Sequence, residues 1–374
     1  MGFAEEVNYD DWYISSSKIG GRPVWLEPLN IPTASDVACG RCGVPMSFLL
    51  QIYAPLSGDQ TYHRVLYVFC CKKLSCIKNC SLGSFKVFRS QLTKQNTYYT
   101  QSTQDPDNFL PTFKSPNLCA VSGLAGTLKC SGCKSVYYAS KQHQILHWNH
   151  GAHKKFCKLS AAVDPSKEGA PEKLAELLNQ NRLEDQGVHY SCNFLEFEIV
   201  TEPASSTTQS NPSEFAETID YGSEDENSED EKTKEDNMQM IQKYDKSTKR
   251  YDNAEFDDND WVVNENQKDI YFLNFTRHTK REPDQVLRYY EDSTTTPLWI
   301  SAKNKLPNDS VPKCDCGAER ICEFQVMPQL LDYLDVEKDE EPIDWGTLVI
   351  YTCKNNCKNH TYSQEFLWVQ QIEK

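Results

Sequence analysis

The chain has 374 residues, of which 39% are hydrophobic and 11% aromatic, so it is long and apolar enough for two or three folded modules. Its formal net charge of −15 disfavours a uniformly basic nucleic-acid binder. The sequence has no run of about 18 apolar residues, and its N-terminus does not resemble a signal peptide. A membrane span is therefore not expected.

Sixteen cysteines are the main chemical feature of the chain. Most lie in closely spaced pairs, which is typical of zinc knuckles rather than of a disulfide framework. Free thiols in this number fit a reducing compartment, so a cytoplasmic and nuclear location is expected. The pairs are Cys39/Cys42, Cys71/Cys76, Cys130/Cys133, Cys314/Cys316 and Cys353/Cys357.

A first unit is expected over residues 1–115, where the chain turns at Gly20-Gly21 and enters the motif Pro23-Val-Trp-Leu. Apolar and β-branched runs at 46–53, 64–69 and 85–89 predict strands, and the polar segment 96–115 predicts a loop. The cysteines between the runs predict a zinc site, for which Cys70 and Cys80 compete. Its expected ligands are Cys39, Cys42, Cys71 and Cys76, and the choice between Cys70 and Cys71 stays open.

A compact Cys/His segment follows at residues 116–160 and resembles the MYND finger. In that module the first and third ligand pairs hold one zinc ion, and the second and fourth pairs hold another. The second site is intact, with Cys130, Cys133, His153 and Cys157. The first keeps only Cys119 and His143, because Ser122 and Ala139 stand at its other two positions. Two protein ligands rarely hold a structural zinc, so one zinc ion is expected in the finger.

The surface of the finger is expected to be basic, since no Asp or Glu lies between its first and last cysteine. RNA phosphates, a protein partner and a merely solvated face are three readings that remain open. His147 and His150 are candidates to complete the first zinc site. The lysines are Lys129, Lys134, Lys141, Lys154 and Lys155.

Residues 161–200 are expected to connect the finger to the second half of the chain. Pro171 begins a short amphipathic helix at its first turn, and residues 193–200 predict a strand. Residues 201–245 form an acidic linker, in which Glu202–Asp236 contains twelve acidic residues and two lysines. It has too few large apolar residues to offset chain entropy, so disorder is expected.

A last unit is expected over residues 246–374. Residues 269–290 predict a helix that Glu282-Pro283 breaks into two pieces. Strands are predicted at 320–326, 347–352 and 365–369. The unit repeats the order of the first, with Pro297-Leu-Trp-Ile before a second four-cysteine site. The expected ligands of that site are Cys314, Cys316, Cys353 and Cys357.

The duplication predicts a mainly β (α+β) fold, in which two zinc-stapled β units pack as one composite domain around an inserted finger and an acidic linker. Four-cysteine sites are structural, because a catalytic zinc keeps one coordination position open. Three zinc ions are expected, without a fourth in the degenerate finger site. Cys192 and Cys322 lie outside the pairs and are interpreted as buried, small apolar residues. No enzymatic machinery is expected.

The whole sequence resembles the programmed cell death protein 2 family, which includes a shorter yeast factor for assembly of the small ribosomal subunit. The resemblance rests on motifs in order from Lys18-Ile-Gly-Gly-Arg-Pro-Val-Trp-Leu26 to Tyr351-Thr-Cys353, among them Phe48–Leu56, Asn193–Val200, Pro283–Tyr289 and Glu323–Leu330. It implies a two-part β fold and a dedicated chaperone that captures one basic 40S ribosomal protein, near the mRNA entry channel, as it is synthesised. The first finger site departs from the family pattern.

The acidic linker gives such a chaperone a means to screen a basic client, since disordered acidic segments can wrap large surfaces. Strand addition at an exposed sheet edge is a second means. Ser223 and Ser228 precede acids and fit acidophilic kinase sites. The alternatives are a solubilising linker and a nuclear MYND-type adaptor for regulatory proteins, and a monomer is expected. The proposed client-binding acids are Glu224, Asp225, Glu226, Glu229, Asp230 and Glu231.

Overall fold

The computed structural model describes residues 1–5, 17–78, 83–101, 109–111, 116–163, 166–184, 188–202, 269–290, 296–307, 310–334, 336, 342–358 and 360–371. The acidic linker from residue 203 onward, with its proposed client-binding acids and serines, lies outside these residues. Cys80, one competitor for the first zinc site, also lies outside them. The expectations for these positions therefore remain predictions.

Ten antiparallel strands close into a barrel. In chain order, they are β1 (Gly2–Glu5), β2 (Lys18–Ile19), β3 (Ser47–Tyr53), β4 (His63–Cys70), β5 (Phe85–Leu92), β10 (Phe197–Thr201), β11 (Gln285–Tyr289), β12 (Arg320–Val326), β13 (Thr347–Cys353) and β14 (Ser363–Gln370). Around the barrel the order is β1-β10-β2-β3-β4-β5-β14-β13-β12-β11, and β11 pairs with β1 to close it. Two two-stranded ribbons stand outside, β6 (Tyr99–Gln101) with β7 (Phe109–Pro111), and β8 (Leu128–Lys129) with β9 (Tyr137–Tyr138).

The two cysteine units form the two halves of this single barrel. Strands β2–β5 belong to the first unit and β11–β14 to the second, and each set follows its own order around the wall. The halves meet where β5 pairs with β14, with Arg89 opposite Ser363, and through β1 and β10 on the other side. The predicted mainly β composite domain is therefore confirmed.

Alternate residues of the strands separate the barrel interior from its outer face. Val68 and Ile350, from opposite halves, belong to one buried cluster that draws residues from both units. Tyr67 belongs to a cluster of the first half and the finger, and Val349 to a cluster of the second half. Only the inside of a closed barrel lets residues from all sides meet, so the shared cluster fills the interior.

The described part of the chain also has six helices, two of which add buried residues, Ile77 and Leu330, to the shared cluster. They are α1 (Leu74–Ile77), α2 (Lys141–His150), α3 (His153–Ala161), α4 (Ala170–Glu184), α5 (Ile270–Arg281) and α6 (Leu330–Tyr333). Among these described helices, none combines the length and the apolar character that a bilayer crossing requires.

Three expectations from the sequence were wrong in detail. Residues 285–289 form strand β11 rather than a second helix piece, because they complete the barrel between β1 and β12. The segment 96–115 contains the β6–β7 ribbon in addition to loop. The strand predicted at 193–200 begins only at Phe197. Strand addition to the barrel also lacks the free edge it needs, since each described barrel strand has a neighbour on both sides.

Candidate metal centres

The first centre lies where the hairpin β3–β4 ends. Its four sulfur atoms belong to a group whose members all lie within 4.8 Å of one another, and Cys42 Sγ is 3.8 Å from Cys71 Sγ. Cys70, the competing candidate, points into the barrel interior and its thiol donates to the Cys71 carbonyl at 3.3 Å. The structure therefore brings Cys71, not Cys70, together with the other three. The group is Cys39, Cys42, Cys71 and Cys76.

The second centre occupies the equivalent place in the other half, where β12 and β13 end. The Sγ atoms of Cys314 and Cys357 are 3.5 Å apart, as are those of Cys316 and Cys353. In each half the knuckle turns at a glycine with positive φ, 69° at Gly43 and 83° at Gly317, which lets the backbone fold around the sulfurs. The four sulfurs again all lie within 4.8 Å of one another.

The thiols of the second centre do not ionise independently. Burial opposes ionisation of Cys353. Hydrogen bonds from the Cys357 N–H, the Cys316 thiol and the Asn355 N–H together outweigh burial and lower the Cys353 pKa to about 7. Burial and the neighbouring thiols raise the Cys357 pKa to about 12. A bound cation would favour the thiolate form of all four together.

A buried arginine from the first half supports the second centre. Arg89 of β5 donates from Nη2 to the Cys357 carbonyl at 3.0 Å and from Nε to Glu365 at 2.7 Å. The same carboxylate accepts from the Cys353 N–H at 3.2 Å and from Arg320 at 2.9 Å. The orientation of this knuckle thus depends on both halves of the barrel. No local pattern could predict this contact, because Arg89 and Glu365 are far apart in the chain.

The third centre lies in the finger. His153 Nε2 is 3.4 Å from Cys130 Sγ and 3.9 Å from Cys133 Sγ, and Cys130 Sγ is 3.7 Å from Cys157 Sγ. A Cβ placed on Gly132 would lie 2.9 Å from Cys157 Sγ, so the knuckle needs glycine at this position. These four residues, which the sequence nominated together, converge on one point.

All three groups fit a tetrahedral zinc ion. With Zn–S bonds of about 2.3 Å, sulfur ligands lie about 3.8 Å apart, and a nitrogen at about 2.0 Å lies slightly closer to each sulfur. The observed separations of 3.4–3.9 Å match both values. Among the described residues these are the three clusters of this kind. They are able to bind zinc with all four positions filled by protein.

The finger is docked on the first half of the barrel by its loop 119–124. Trp25 Nε1 donates to the Gly123 carbonyl at 2.7 Å, and Arg22 donates to the Ala120 carbonyl at 2.9 Å. From the segment before β10, Asn193 Nδ2 donates to the Val121 carbonyl at 2.8 Å. The tryptophan of the first repeated motif therefore orients the finger against the barrel.

The degenerate site contains its two remaining residues and one that the sequence interpretation missed. Cys119 Sγ lies 3.4 Å from His143 Nδ1, and Cys192 packs against the buried cluster that contains Cys119. Burial opposes charge on both partners, but their mutual contact lowers the Cys119 pKa to about 7 and raises the His143 pKa to about 9. Cys192 is only half-buried, not the buried apolar residue expected, whereas Cys322 is buried.

The other candidates for this site do not face it. His147 Nδ1 pairs with the Tyr138 hydroxyl at 3.0 Å and its ring stacks on His153, and His150 is exposed. Ala139 is buried and offers no ligand atom. Of the finger lysines, Lys155 bonds Glu184 of α4 at 2.8 Å.

The comparisons with known proteins cover the whole chain. Residues 1–106 and 269–371 match the N-terminal and C-terminal domains described for programmed cell death protein 2, and residues 118–157 match the MYND finger. Programmed cell death protein 2 of Mus musculus is 36% identical over 385 aligned residues, which cover 100% of this chain and 96% of the relative. The protein of the same name from Bos taurus is 34% identical over the same shares of both chains.

A more distant relative comes from Schizosaccharomyces pombe. It is named probable 20S rRNA accumulation protein 4 and is 24% identical over 91% of this chain and 88% of its own length. No solved structure matches the chain. From the end-to-end identity with the mouse and cattle proteins, together with the three matched domains, it follows that this chain belongs to the programmed cell death protein 2 family.

Proposed function

We propose that the chain is a non-enzymatic, dedicated chaperone that captures a basic 40S ribosomal protein as it is synthesised and so supports assembly of the small ribosomal subunit. The observation that carries the proposal is the similarity to the yeast protein named for 20S rRNA accumulation. It spans 91% of the chain, far more than the finger at 118–157 alone. The choice of a client near the mRNA entry channel follows from the family resemblance.

Three structural zinc ions would hold the scaffold of this chaperone. Each of the three clusters supplies four protein ligands, so no coordination position is left for a substrate or a reactive water. Two of the centres lie at corresponding hairpin ends of a barrel whose interior holds a large apolar cluster and a buried ion pair. This arrangement supports a rigid binding body rather than an enzyme.

The acidic linker is the proposed contact for the basic client. The segment 202–236 carries ten of the chain's fifteen net negative charges, and residues 224–231 are its densest part. Glu202 and Asp269, the described residues on either side of residues 203–268, both have contacts with the folded part of the chain. Glu202 N–H donates to the Met1 carbonyl at 2.9 Å, and Asp269 caps α5 and accepts from Ser301 at 2.7 Å.

Co-purification from cells tests the proposal, with ribosomes removed by sedimentation. The tagged full-length chain is expected to retain one 40S ribosomal protein at near-equal stoichiometry, and raised salt should weaken the complex because exposed charges are screened. A matched variant keeps the linker length but replaces its twelve acids with Asn and Gln. It should lose most of the client, whereas unchanged retention would make the linker a mere tether.

Two other results would contradict the proposal and favour a different function. Recovery of nuclear regulatory proteins without a ribosomal protein would favour the adaptor function, which the intact second finger site supports. Recovery of RNA that survives removal of all ribosomal protein would favour contact by the basic finger. Replacing Lys134 and Lys154, both on the finger, by Gln would then reduce the bound RNA.

A further inference from the structure

The first site of the finger keeps the backbone of a metal-binding knuckle although its second cysteine is missing. In residues 119–124, the Cys119 N–H donates to the Leu124 carbonyl at 2.8 Å, and the Gly123 N–H donates to the Cys119 carbonyl at 2.9 Å. Residues 39–44, which carry two cysteines of the first centre, make the same two bonds at the same lengths. The φ angles of Gly123 and Gly43, 70° and 69°, also agree. Ser122 thus stands where Cys42 stands in that centre.

Polar groups gather around this retained knuckle. Cys119 Sγ is buried, lies 3.4 Å from His143 Nδ1 and faces the Ser122 N–H at 3.5 Å. The Ser122 hydroxyl is also buried, and it has no partner of good hydrogen-bond geometry in the described structure. A thiol, an imidazole nitrogen and a buried hydroxyl beside one another are the surroundings that a cation would complete.

Cys192 approaches this site from a segment outside the finger. It packs against the buried cluster that contains Cys119, and its thiol contributes to the raised pKa of His143. Its backbone is fixed to the barrel, because Ser47 Oγ donates to its carbonyl at 2.6 Å. The next residue, Asn193, is fixed to the knuckle through the Val121 carbonyl. The thiol itself has a weak contact, a 3.6 Å approach to Asn193 Oδ1, so little is lost when it turns.

We propose that Cys192 rebuilds the degenerate finger site, so that Cys119, His143 and Cys192 bind a fourth zinc ion and leave its last position to water beside Ser122. Two thiolates and an imidazole are ligands that zinc prefers, and three protein ligands with one water complete its tetrahedron. Cys192 Sγ lies farther out than the atoms of the three compact clusters, which are all within 4.8 Å of one another. A change of its χ1 rotamer is the movement that the site requires.

The site would differ from the other three in what it joins. Cys119 and His143 belong to the finger, whereas Cys192 belongs to the segment that is anchored to β3 and leads into β10. Lys72 strengthens that anchor by donating to the Ser191 and Asn193 carbonyls at 3.1 and 3.2 Å. A zinc ion here would therefore lock the finger onto the barrel instead of merely folding the finger.

Native mass spectrometry of the full-length chain, loaded with Zn²⁺ and freed of excess metal, tests the proposal. We expect four zinc ions in the wild type, three in Cys192→Ser and three in Cys119→Ser. Cys322→Ser is the matched control, because it removes a buried cysteine outside every site, and it should keep four. Three ions in the wild type, or four in Cys192→Ser, would overturn the proposal.

Alkylation of the wild-type chain covers the case in which the variants fail to fold. With Zn²⁺ bound, Cys119 and Cys192 should resist a thiol reagent together, and a mild chelator should expose both at the same concentration. Peptide mapping by mass spectrometry reports each cysteine separately. Alkylation of Cys192 at equal rates with and without Zn²⁺, while Cys130 remains protected, would show that Cys192 is not a ligand.

Discussion

Gln51 and Gln325 hold the Pro-x-Trp motif that is repeated in the two halves. Both side chains are fully buried, and each accepts from a backbone N–H of the Pro-x-Trp segment, Val24 at 2.8 Å and Leu298 at 3.0 Å. Gln325 also donates to the Leu298 carbonyl at 2.6 Å. The segment has few backbone partners of its own, so a buried amide supplies them. The glutamine and the motif therefore recur together.

Replacing Gln325 by Met is expected to lower the free energy of unfolding by about 3 kcal/mol. The change keeps the side-chain volume but leaves the Leu298 carbonyl and the Tyr290 hydroxyl without the partner that Gln325 gave them, and the Leu298 N–H keeps only the Tyr290 oxygen at 3.3 Å. Each buried group left unsatisfied costs about 1–3 kcal/mol. Urea unfolding followed by tryptophan fluorescence measures the difference. Gln364→Met, on an exposed position of β14, is the control and should change stability by less than about 0.5 kcal/mol. Equal losses in the two variants would contradict the role assigned to Gln325.

At the scale of elements, each cysteine centre closes the end of one hairpin. In the second half, Cys314 and Cys316 precede β12, and Cys353 ends β13, so the ion would bind both strands at the same end. The strands pair along their whole length above it. The centre thus fixes the register of β12 against β13 at this end. The connection between the two strands cannot do so, because residues 327–346 join their other ends.

Cys353→Ser is expected to remove one zinc ion and to cost several kcal/mol of stability, since structural zinc contributes about 10–16 kcal/mol of binding free energy to small domains. Cys322→Ser, a buried cysteine on the paired strand β12, should keep the full zinc content. Metal analysis with thermal unfolding measures both. If the two variants retained the same zinc content, the assignment of Cys353 as a ligand would be wrong.

Local patterns predicted six strands of the repeated units within one to three residues of their observed bounds, because apolar runs between cysteine knuckles leave little choice of element. These local patterns failed where contacts with residues far away in the chain determine the structure. Residues 285–289 became a strand because β1 and β12 lie on either side of them. Cys192 carries no spacing signal, and only the fold brings it to His143. Arg89 likewise contacts the second centre only because the barrel places β5 beside β14.

At the scale of the whole molecule, neither half can complete the barrel alone. Strands β5 and β14 pair across one junction, and on the other side β1 and β10 link the units, because β1 pairs with β11 and β10 pairs with β2. Inside, the guanidinium of Arg64 on β4 forms a buried ion pair with Glu323 on β12, which also accepts from the Tyr289 hydroxyl at 2.7 Å. The carboxylate's pKa is held low mainly by Arg64 against the opposing effect of burial. The halves are therefore parts of one cooperative core.

Cutting the linker is expected to leave the two halves associated. A protease site introduced between Asp236 and Asp245 and cleaved after folding would yield two fragments that elute together on size exclusion, because the junction strands and the shared interior core hold them. Urea should separate and unfold them in one transition. Arg64→Met in the cleaved protein should weaken the association by about 3–5 kcal/mol, since it leaves a buried carboxylate unpaired. Lys173→Met, on exposed α4, is the control. Fragments that separate on cleavage, each retaining its strands by circular dichroism, would show two independent domains instead of one barrel.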